Sequence, residues 1–565
     1  MSFTQLSVPS PILAAPSGFY NPLPNVTTTA LDSLFTAVDG RLFPGVPLAY
    51  PCFADGGNGT DCITIQNQYT NETYRTDNFA AFINTQWETC QSTGAQCLLN
   101  ADDPSDSSVT MPPVQCRPGS VSGYFIDVRD ANDVAAAFNF SEQTGVPLVI
   151  KNTGHDYKGR SSAPNSLALW MHNLKQMSYN PEFVPEGCSF KEPAATLGAG
   201  VQWAEAYEFA DKNNITLVGG SDRSVGVIGG WLQGGGHSVL SNTMGLGVDR
   251  VLQFKVVTPD GKLRVANACQ NEDLFFALRG GGGSTFGLVL EATMLASPPV
   301  TLQAVIVSWS ALNRTATAEM WKILAENALA FAADGWGGFS MAQISILVTP
   351  VLDPVQAASS MAPIIEFGRR LQQDGVDGAQ LVVTTFPSFL SFFEAFTEEH
   401  VAVVGTNIAL TSRLVPKSNV QTPGNISALV TGFLETDAAA PGMIILLVAP
   451  VSYVAQGGTS VTDAWRSSLY HVTAVAPWAW NATATEKRAG YQFASRAMDN
   501  LRNITPDAAY SNEADVYEPN YQVSFWGSHY ERLLQVKQTY DPRHLLDCWQ
   551  CVGWDAKSPR FSCYL

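Results

Sequence analysis

"VIKNTGHDYKGRSS", residues 149–162, changes character at Lys151. The apolar run Pro147-Leu-Val-Ile stops there, and a polar turn follows with Gly154 and Gly159 on either side of His155. A short apolar run bounded by turn residues reads as a buried strand. The chain holds only 7 histidines in 565 residues. One of them, set in a glycine-flanked turn directly after a strand, is placed where backbone and side chain can meet a ligand.

The surroundings repeat this plan. "YFIDVRDANDVAAAFNFSEQTGVPLVIKNTG", from Tyr124, reads strand, helix, strand, with Asp130 and Asn132 as helix-start residues. "AATLGAGVQWAEAYEFADKNNITLVGG", from Ala194, reads strand, turn, helix, strand. "DRVLQFKVVTPDGKLRVAN", from Asp249, is a hairpin turning at Asp260-Gly261. Four glycine-rich segments fall in this block, at 152–160, 217–237, 244–251 and 278–289. Glycine in a loop costs conformational entropy, so each cluster implies tight turns or a backbone bared to a large anionic or planar ligand. Four clusters together favour the ligand. No Gly-Lys-Ser/Thr follows any of them, which excludes a P-loop, and none has the context of a dinucleotide fingerprint.

Residues 1–115 are rich in Pro, Asn, Thr and Cys and form a cysteine-containing N-terminal extension, with a helix expected near "NFAAFINTQWETC", Asn78 to Cys90. Residues 116–300 are the glycine-rich block. Residues 301–505 alternate long helical patterns, such as "ALNRTATAEMWKILAENALAFAADG", with apolar strands, such as "FSMAQISILVTP" and "GMIILLVAPV". Residues 506–565 are a C-terminal segment whose helix ends at Asp541-Pro542. The composition, 45% hydrophobic and 15% charged, is that of a globular protein. A net charge of -18 disfavours nucleic acid and anionic membranes as partners. No apolar run has the length of a membrane span. Ten cysteines show no zinc spacing, so no metal is expected. Local disulfide clips in an extracellular chain are the expected use. Nine Asn-X-Ser/Thr acceptors, at Asn25, Asn58, Asn71, Asn139, Asn214, Asn313, Asn425, Asn481 and Asn503, point to a secreted glycoprotein with N-linked glycans. The start "MSFTQLSVPSPILAAP" has neither the basic nor the apolar region of a secretory leader, and a start Met is expected to stand in its place.

The pieces "KNTGHDYKGRSSAPNSLALWM", "GGWLQGGGHSVLSNTMGLGVDRVL", "FFALRGGGGSTFGLVLEATM" and "SFWGSHYERLLQVKQTYDP" occur in this order. Their set resembles the berberine bridge enzyme-like branch of the vanillyl-alcohol oxidase superfamily. The N-terminal "WETCQSTGAQCLLN" is similar to fungal secreted members labelled isoamyl alcohol oxidases. The resemblance implies an α+β fold: a two-subdomain PCMH-type FAD-binding domain, and a substrate domain with a large antiparallel sheet covered by helices. It implies FAD attached covalently through His155, with Asn152, Thr153 and Gly154 cradling the pyrophosphate and Asp156 beside them. Gly281, Gly282, Ser284, Phe286 and Gly287 would form a wall against FAD, with Gly235, Gly236, Val225 and Gly226 on the same groove.

Two positions depart from the family pattern. Asp222 in "GSDRSVG" stands where many relatives have a second attachment Cys, which implies a single linkage through His155. His529 in "WGSHYERL" stands where relatives have Asn. Val225, three after the Cys position, is associated with oxidases. The implied activity is a secreted oxidase of a hydroxyl-bearing small molecule, an alcohol, sugar or polyol, with O2 reduced to H2O2. Rivals are a dehydrogenase or oxidative cyclase on the same scaffold, and a non-catalytic carbohydrate-binding flavoprotein. The base is open. Asp222 could serve, or stand as a helix N-cap ahead of "RSVGVIGG". His529 could orient substrate or flavin, or pack. Tyr470 and His471 lie on one strand, so alternation turns only one of them to the cavity. His237 and His172 read as structural.

Overall fold

A computed structural model of the chain describes residues 23, 25–54, 59–310, 312–397, 404–455 and 457–565. Three sheets organise it. The first comprises β1 (Leu42–Pro44), β2 (Tyr124–Asp127), β3 (Leu148–Lys151) and β4 (Leu167–Trp170), in the order β1-β2-β4-β3. β2, β4 and β3 are parallel, and β1 pairs antiparallel on the outer edge of β2. All four residues of β4 are buried, as a strand flanked by parallel neighbours and covered on both faces requires. The helix Ala131–Thr144 makes the crossover between β2 and β3. Asp130 caps its start in a capping box with Asp133, and Gly145 ends it at φ 71°.

The second sheet is antiparallel: β5 (Met177–Phe183), β6 (Glu192–Gly198), β7 (Val251–Val257), β8 (Leu263–Asn267) and β9 (Leu288–Leu295), ordered β5-β6-β9-β7-β8. The β7–β8 hairpin turns at Gly261 with φ 74°, as Asp260-Gly261 requires. The third is a seven-stranded antiparallel sheet of β10 (Leu302–Ser308), β11 (Gly337–Met341), β12 (Ile344–Thr349), β13 (Gln380–Phe386), β14 (Asn407–Pro416), β15 (Ile444–Leu447) and β16 (Ser468–Trp478). The helix Arg314–Ala333 packs on one face of it through Trp321, Leu324 and Ala328, all buried.

Residues 1–115 are more than an extension. They supply β1 to the first sheet, and the helix Thr28–Ala37 joins the same core as the helix Ala131–Thr144. An open strand edge is thereby paired. The helix expected over Asn78–Cys90 is absent; only a single tight turn at Thr85–Trp87 forms. The reason lies in the carbonyls. Those of Asn78, Phe79 and Ala81 accept from Lys151 Nζ at 3.1, 2.7 and 2.8 Å, and that of Phe82 accepts from Arg75 Nε at 2.8 Å. These side-chain bonds hold the segment in an irregular path in place of a helix. The strand expected at "ITLVGG" reduces to one bridge between Thr216 and Ser297.

Disulfide pairing also departs from purely local clips. Cys52–Cys62, Cys97–Cys116 and Cys548–Cys551 are local, but Cys188–Cys269 and Cys90–Cys563 span 81 and 473 residues. The last one ties the N-terminal segment to the chain end. The C-terminal helix Tyr530–Tyr540 returns to the glycine-rich block. Buried Lys537 donates to the carbonyl of Thr285 at 2.7 Å and to Asp541 at 2.6 Å, and Trp526 donates to the Gly280 carbonyl at 3.0 Å.

Lys151 is fully buried and spends all three ammonium protons on carbonyls of the N-terminal segment. Lys151→Met keeps the stem and strands the three acceptors. It should lower stability by about 2–4 kcal/mol, the cost of buried acceptors left unpaired offset by the relief of burying a charge. Equilibrium urea unfolding with an unchanged m-value checks this.

Candidate active site

The turn after β3 stands at the C-terminal end of a parallel strand, where α/β sheets bind ligands. Gly154 adopts φ 98° and Gly159 φ 72°. A Cβ at Gly159 would lie 2.2 Å from the Trp87 ring, so this glycine is required by space as well as by conformation. The turn forms one side of a cleft with about 740 Å³ of empty space, adjoining open solvent included. Asn152, Thr153, Gly154, His155, Asp156, Val225, Gly226, Ser284 and Gly287 line it. So do Arg160, Ser161 and Gln233, which sequence reasoning missed.

The sequence-predicted residues Gly235, Gly236, Gly281, Gly282 and Phe286 are not part of this lining. Gly281 and Phe286 pack behind it: a Cβ on Gly281 would meet the Phe286 ring at 2.6 Å. Gly235 and Gly236 carry φ of 140° and 74°, and Gly236 N–H donates to Tyr510 Oη at 3.1 Å. Gly282 has φ 100°, and its N–H donates to the Gln233 carbonyl at 3.0 Å. Their freedom serves the bends that shape the wall.

The cleft fits FAD by its chemistry. Asn152 Oδ1, Ser161 Oγ and Gln233 Oε1 are buried and find no protein partner among the described residues, and all three line the cleft. Buried polar atoms left over in this way call for a polar ligand. Gly226 and Gly229 let the backbone pass against Asn152, where a Cβ would come within 2.4 and 2.7 Å of its side chain. Arg160, whose Nε donates to Asp156 at 3.0 Å, brings a cation to a surface otherwise made of backbone, which suits a pyrophosphate.

His155 is largely buried, and its Nε2 lies 2.6 Å from Ser224 Oγ and 3.6 Å from Asp222 Oδ1. Burial pushes its pKa below the ordinary value, against the pull of Asp222. Asp222 Oδ1 accepts from Ser224 N–H at 2.9 Å and from Ser224 Oγ at 3.1 Å, so the carboxylate caps its own turn and faces His155. Glu72, from the N-terminal segment, joins this cluster through Ser224 Oγ at 3.3 Å.

A second group forms on the other side of the segment 219–226. Gly219, Gly220 and Ser221 line a narrow pocket with Phe339, Phe389, Phe392, Phe393 and Phe396. Val225 and Gly226, a few residues on, line the cleft, so one run of backbone borders both spaces. His237 lines the pocket, and its Nε2 meets Glu513 Oε1 at 3.0 Å. His471 Nε2 meets Glu513 Oε2 at 2.8 Å. The three groups lie within 4.8 Å of one another, close enough to suggest a metal. Each carboxylate oxygen lies within hydrogen-bond distance of one imidazole nitrogen, so the carboxylate links the two rings. His237, read from sequence as structural, and Glu513, not singled out there, are thus brought together. No spacing announces this, because the three residues come from distant parts of the chain.

Tyr470 does not reach the site. It faces the opposite side of β16 from His471, and its hydroxyl donates to the Leu324 carbonyl at 2.9 Å beneath the helix Arg314–Ala333. His529 lies outside the lining of both spaces. Its Nδ1 meets the Val461 carbonyl at 3.0 Å and its ring stands edge-on to Phe276. Replacing a packed His by Asn there changes a strap between segments. His172 stacks on Trp170 and lies 3.4 Å from Asp77, just past the C-terminal end of β4.

Comparison with known proteins agrees with this architecture. Residues 123–267 match the FAD binding domain family and residues 509–552 the berberine and berberine like family. An FAD-linked oxidoreductase of Aspergillus flavipes is 39% identical, covering 94% of this chain and 92% of its own length. The chain belongs to the berberine-like FAD-linked oxidoreductases. Another such oxidoreductase, from Pyricularia oryzae, is 37% identical over 92% of this chain and 91% of its own. The crystal structure of a VAO-type flavoprotein from Myceliophthora thermophila superposes with a TM-score of 0.82 at 27% identity, covering 95% of this chain and 97% of that one. This oxidoreductase therefore binds FAD on the fold described.

Two imidazoles hold the Glu513 carboxyl well below the usual range, against the opposing effect of burial. A carboxyl depressed in the folded state stabilises above its unfolded value of about 4.3, and that contribution is lost progressively as pH falls from there through the depressed folded value. Glu513→Gln should lower Tm at pH 7, and the gap from wild type should begin to shrink below about pH 5 and go on shrinking as the pH falls further. Thermal unfolding across this range checks it.

Proposed function

We propose that this oxidoreductase is a secreted oxidase of a hydroxyl group on an apolar small molecule, using FAD attached through His155 and dioxygen as acceptor. The observation that carries the reading is the His237–Glu513 pair on the wall of a phenylalanine-lined pocket that shares the segment 219–226 with the FAD cleft. FAD, when bound, supplies the hydride acceptor.

The chain's residues do the rest. Donation from His237 Nε2–H to the Glu513 carboxylate assigns the proton to Nε2 and leaves the lone pair on Nδ1. Nδ1 then takes the substrate hydroxyl proton, with Glu513 stabilising the imidazolium that forms. His471 holds the second carboxylate oxygen and keeps Glu513 in register. Tyr207 packs at a steep angle against the rings of Phe389 and Phe393, with centres 4.9 and 4.6 Å away, which fixes the aromatic wall. That wall excludes water and selects apolar over sugar-like substrates. Val225, small and half-buried on the cleft, leaves space for dioxygen. Asp222 in place of a thiol keeps the linkage single. Five disulfides support an extracellular setting. So do the sequons: Asn25, Asn71, Asn139, Asn214, Asn425, Asn481 and Asn503 are exposed and Asn313 is half-buried, while Asn58 lies outside the described residues.

The protein should stay yellow after acid precipitation, with flavin on the peptide containing His155 and on no second peptide. His237→Ala should retain FAD and slow anaerobic flavin reduction by an aromatic or long-chain alcohol about 10²–10⁴-fold. Stopped-flow reduction measures this, and reduction within a few-fold of wild type would remove His237 from the role. Val225→Leu should slow reoxidation in air more than it slows reduction. Faster turnover of oligosaccharides than of apolar alcohols would reverse the assignment of substrate class.

A further inference from the structure

Glu72 has no part in the chemistry described so far, yet it is placed with care. It opens the short helix Glu72–Thr76, in a segment that sequence reasoning left as extension, and it is 7% exposed. Its Oε2 accepts from Ser224 Oγ at 3.3 Å, and the same Oγ lies 2.6 Å from His155 Nε2. Asp222 Oδ1 stands 3.1 Å from that hydroxyl, and Arg223 Nε lies 3.8 Å from Glu72 Oε1. Gln202 Nε2 holds the Ser224 carbonyl at 2.9 Å and Thr76 Oγ1 at 3.0 Å, which fixes the serine against the N-terminal segment.

A serine hydroxyl has one proton to donate. With that proton directed to a carboxylate, His155 Nε2 must supply the proton of the 2.6 Å bond, which leaves the lone pair on Nδ1. We infer that Glu72 is the proton acceptor for covalent attachment of the flavin to His155, acting through the hydroxyl of Ser224. The inference rests on the reading that His155 carries the flavin. In the step, a bond forms between a His155 ring nitrogen and the flavin 8α carbon. One 8α C–H bond breaks and releases its proton, the imidazole N–H proton passes through Ser224 to Glu72, and two electrons pass to the flavin ring. Dioxygen then removes the two electrons with two protons, as H2O2.

Glu72 suits this role better than Asp222. Asp222 Oδ1 is already engaged by Ser224 N–H at 2.9 Å, and its side chain is 23% exposed against 9% for Glu72. Burial, then the Asp222 charge, push the Glu72 carboxyl up to about 7, with Arg223 and Ser224 opposing. A base near the working pH is the most effective. Burial also pushes the His155 imidazole below its ordinary value, against the pull of Asp222, which favours its neutral form.

The test uses the full-length chain produced under riboflavin limitation and then given FAD, with acid-stable flavin followed in time. Wild type should attach about tenfold faster at pH 8 than at pH 6, the ratio expected of a base with a pKa near 7. Glu72→Gln should attach about 10²-fold more slowly, with a flat pH profile, while FAD still binds reversibly. Ser224→Ala should do the same, and decides the matter if the Glu72 variant does not fold. Attachment of both variants at the wild-type rate and with the wild-type pH profile would overturn the inference. A wild type with no acid-stable flavin, or a His155→Ala protein that keeps it, would overturn the attachment reading as well.

Discussion

Three backbone carbonyls, of Asn78, Phe79 and Ala81, converge on the buried ammonium of Lys151, the last residue of β3. The next four residues are Asn152 to His155. Everything at the cofactor end of the site is built outward from this clamp. Gly154 passes so close to the clamped segment that a Cβ would sit 3.2 Å from the Ala81 carbonyl. The turn can therefore leave the strand in one direction only. The same clamp brings the helix Glu72–Thr76 over the turn, where Glu72 meets Ser224. A buried cation saturated by carbonyls is costly to disturb, and this explains how the loop holds His155 in a fixed pose.

The N-terminal segment is itself ordered from within. Arg75 is fully buried, pairs with Glu88, and donates to the carbonyls of Tyr69 and Phe82 at 3.0 and 2.8 Å. Glu88 Oε1 in turn accepts from Phe82 N–H at 2.9 Å. Cys90–Cys563 then fastens this segment to the chain end. A region without long helices or strands is thus held by buried charge, side chain to backbone bonds and a covalent tie. It forms one wall of the cluster around His155.

At the substrate end, order comes from aromatic packing and from one carboxylate. Glu513 is shared by His237, which follows a glycine turn, and His471, from the middle of β16. One anion thus locks the glycine-rich block to the large sheet. The phenylalanines of the helix Phe389–Thr397 fill the space between that sheet and Tyr207. The two ends differ in character because they do different work. The cofactor end presents bare backbone and unpaired polar atoms, and the substrate end presents rings around a hydrogen-bonded imidazole.

The sequence by itself determined the local parts: the strand–turn–strand plan around His155, the crossover helix capped by Asp130, the hairpin at Asp260-Gly261 and the family to which the chain belongs. These are short-range patterns of apolar period, caps and turn residues, and they survive folding because nothing distant competes with them. It also determined that only one of Tyr470 and His471 would face the cavity, because side chains alternate along a strand. The tertiary structure turned His471 to Glu513 on one face and Tyr470 to the Leu324 carbonyl on the other, and neither lines the pocket itself. Folding likewise turned "NFAAFINTQWETC" from a helix into a loop, since its carbonyls found Lys151 and Arg75. It moved Gly281 and Phe286 behind the wall, paired Cys90 with Cys563, and gathered Glu72, Ser224 and Asp222 around His155. Each of these outcomes is a contact between residues far apart in the chain. Its energy depends on burial and on which partner arrives, and neither is written in the neighbouring residues.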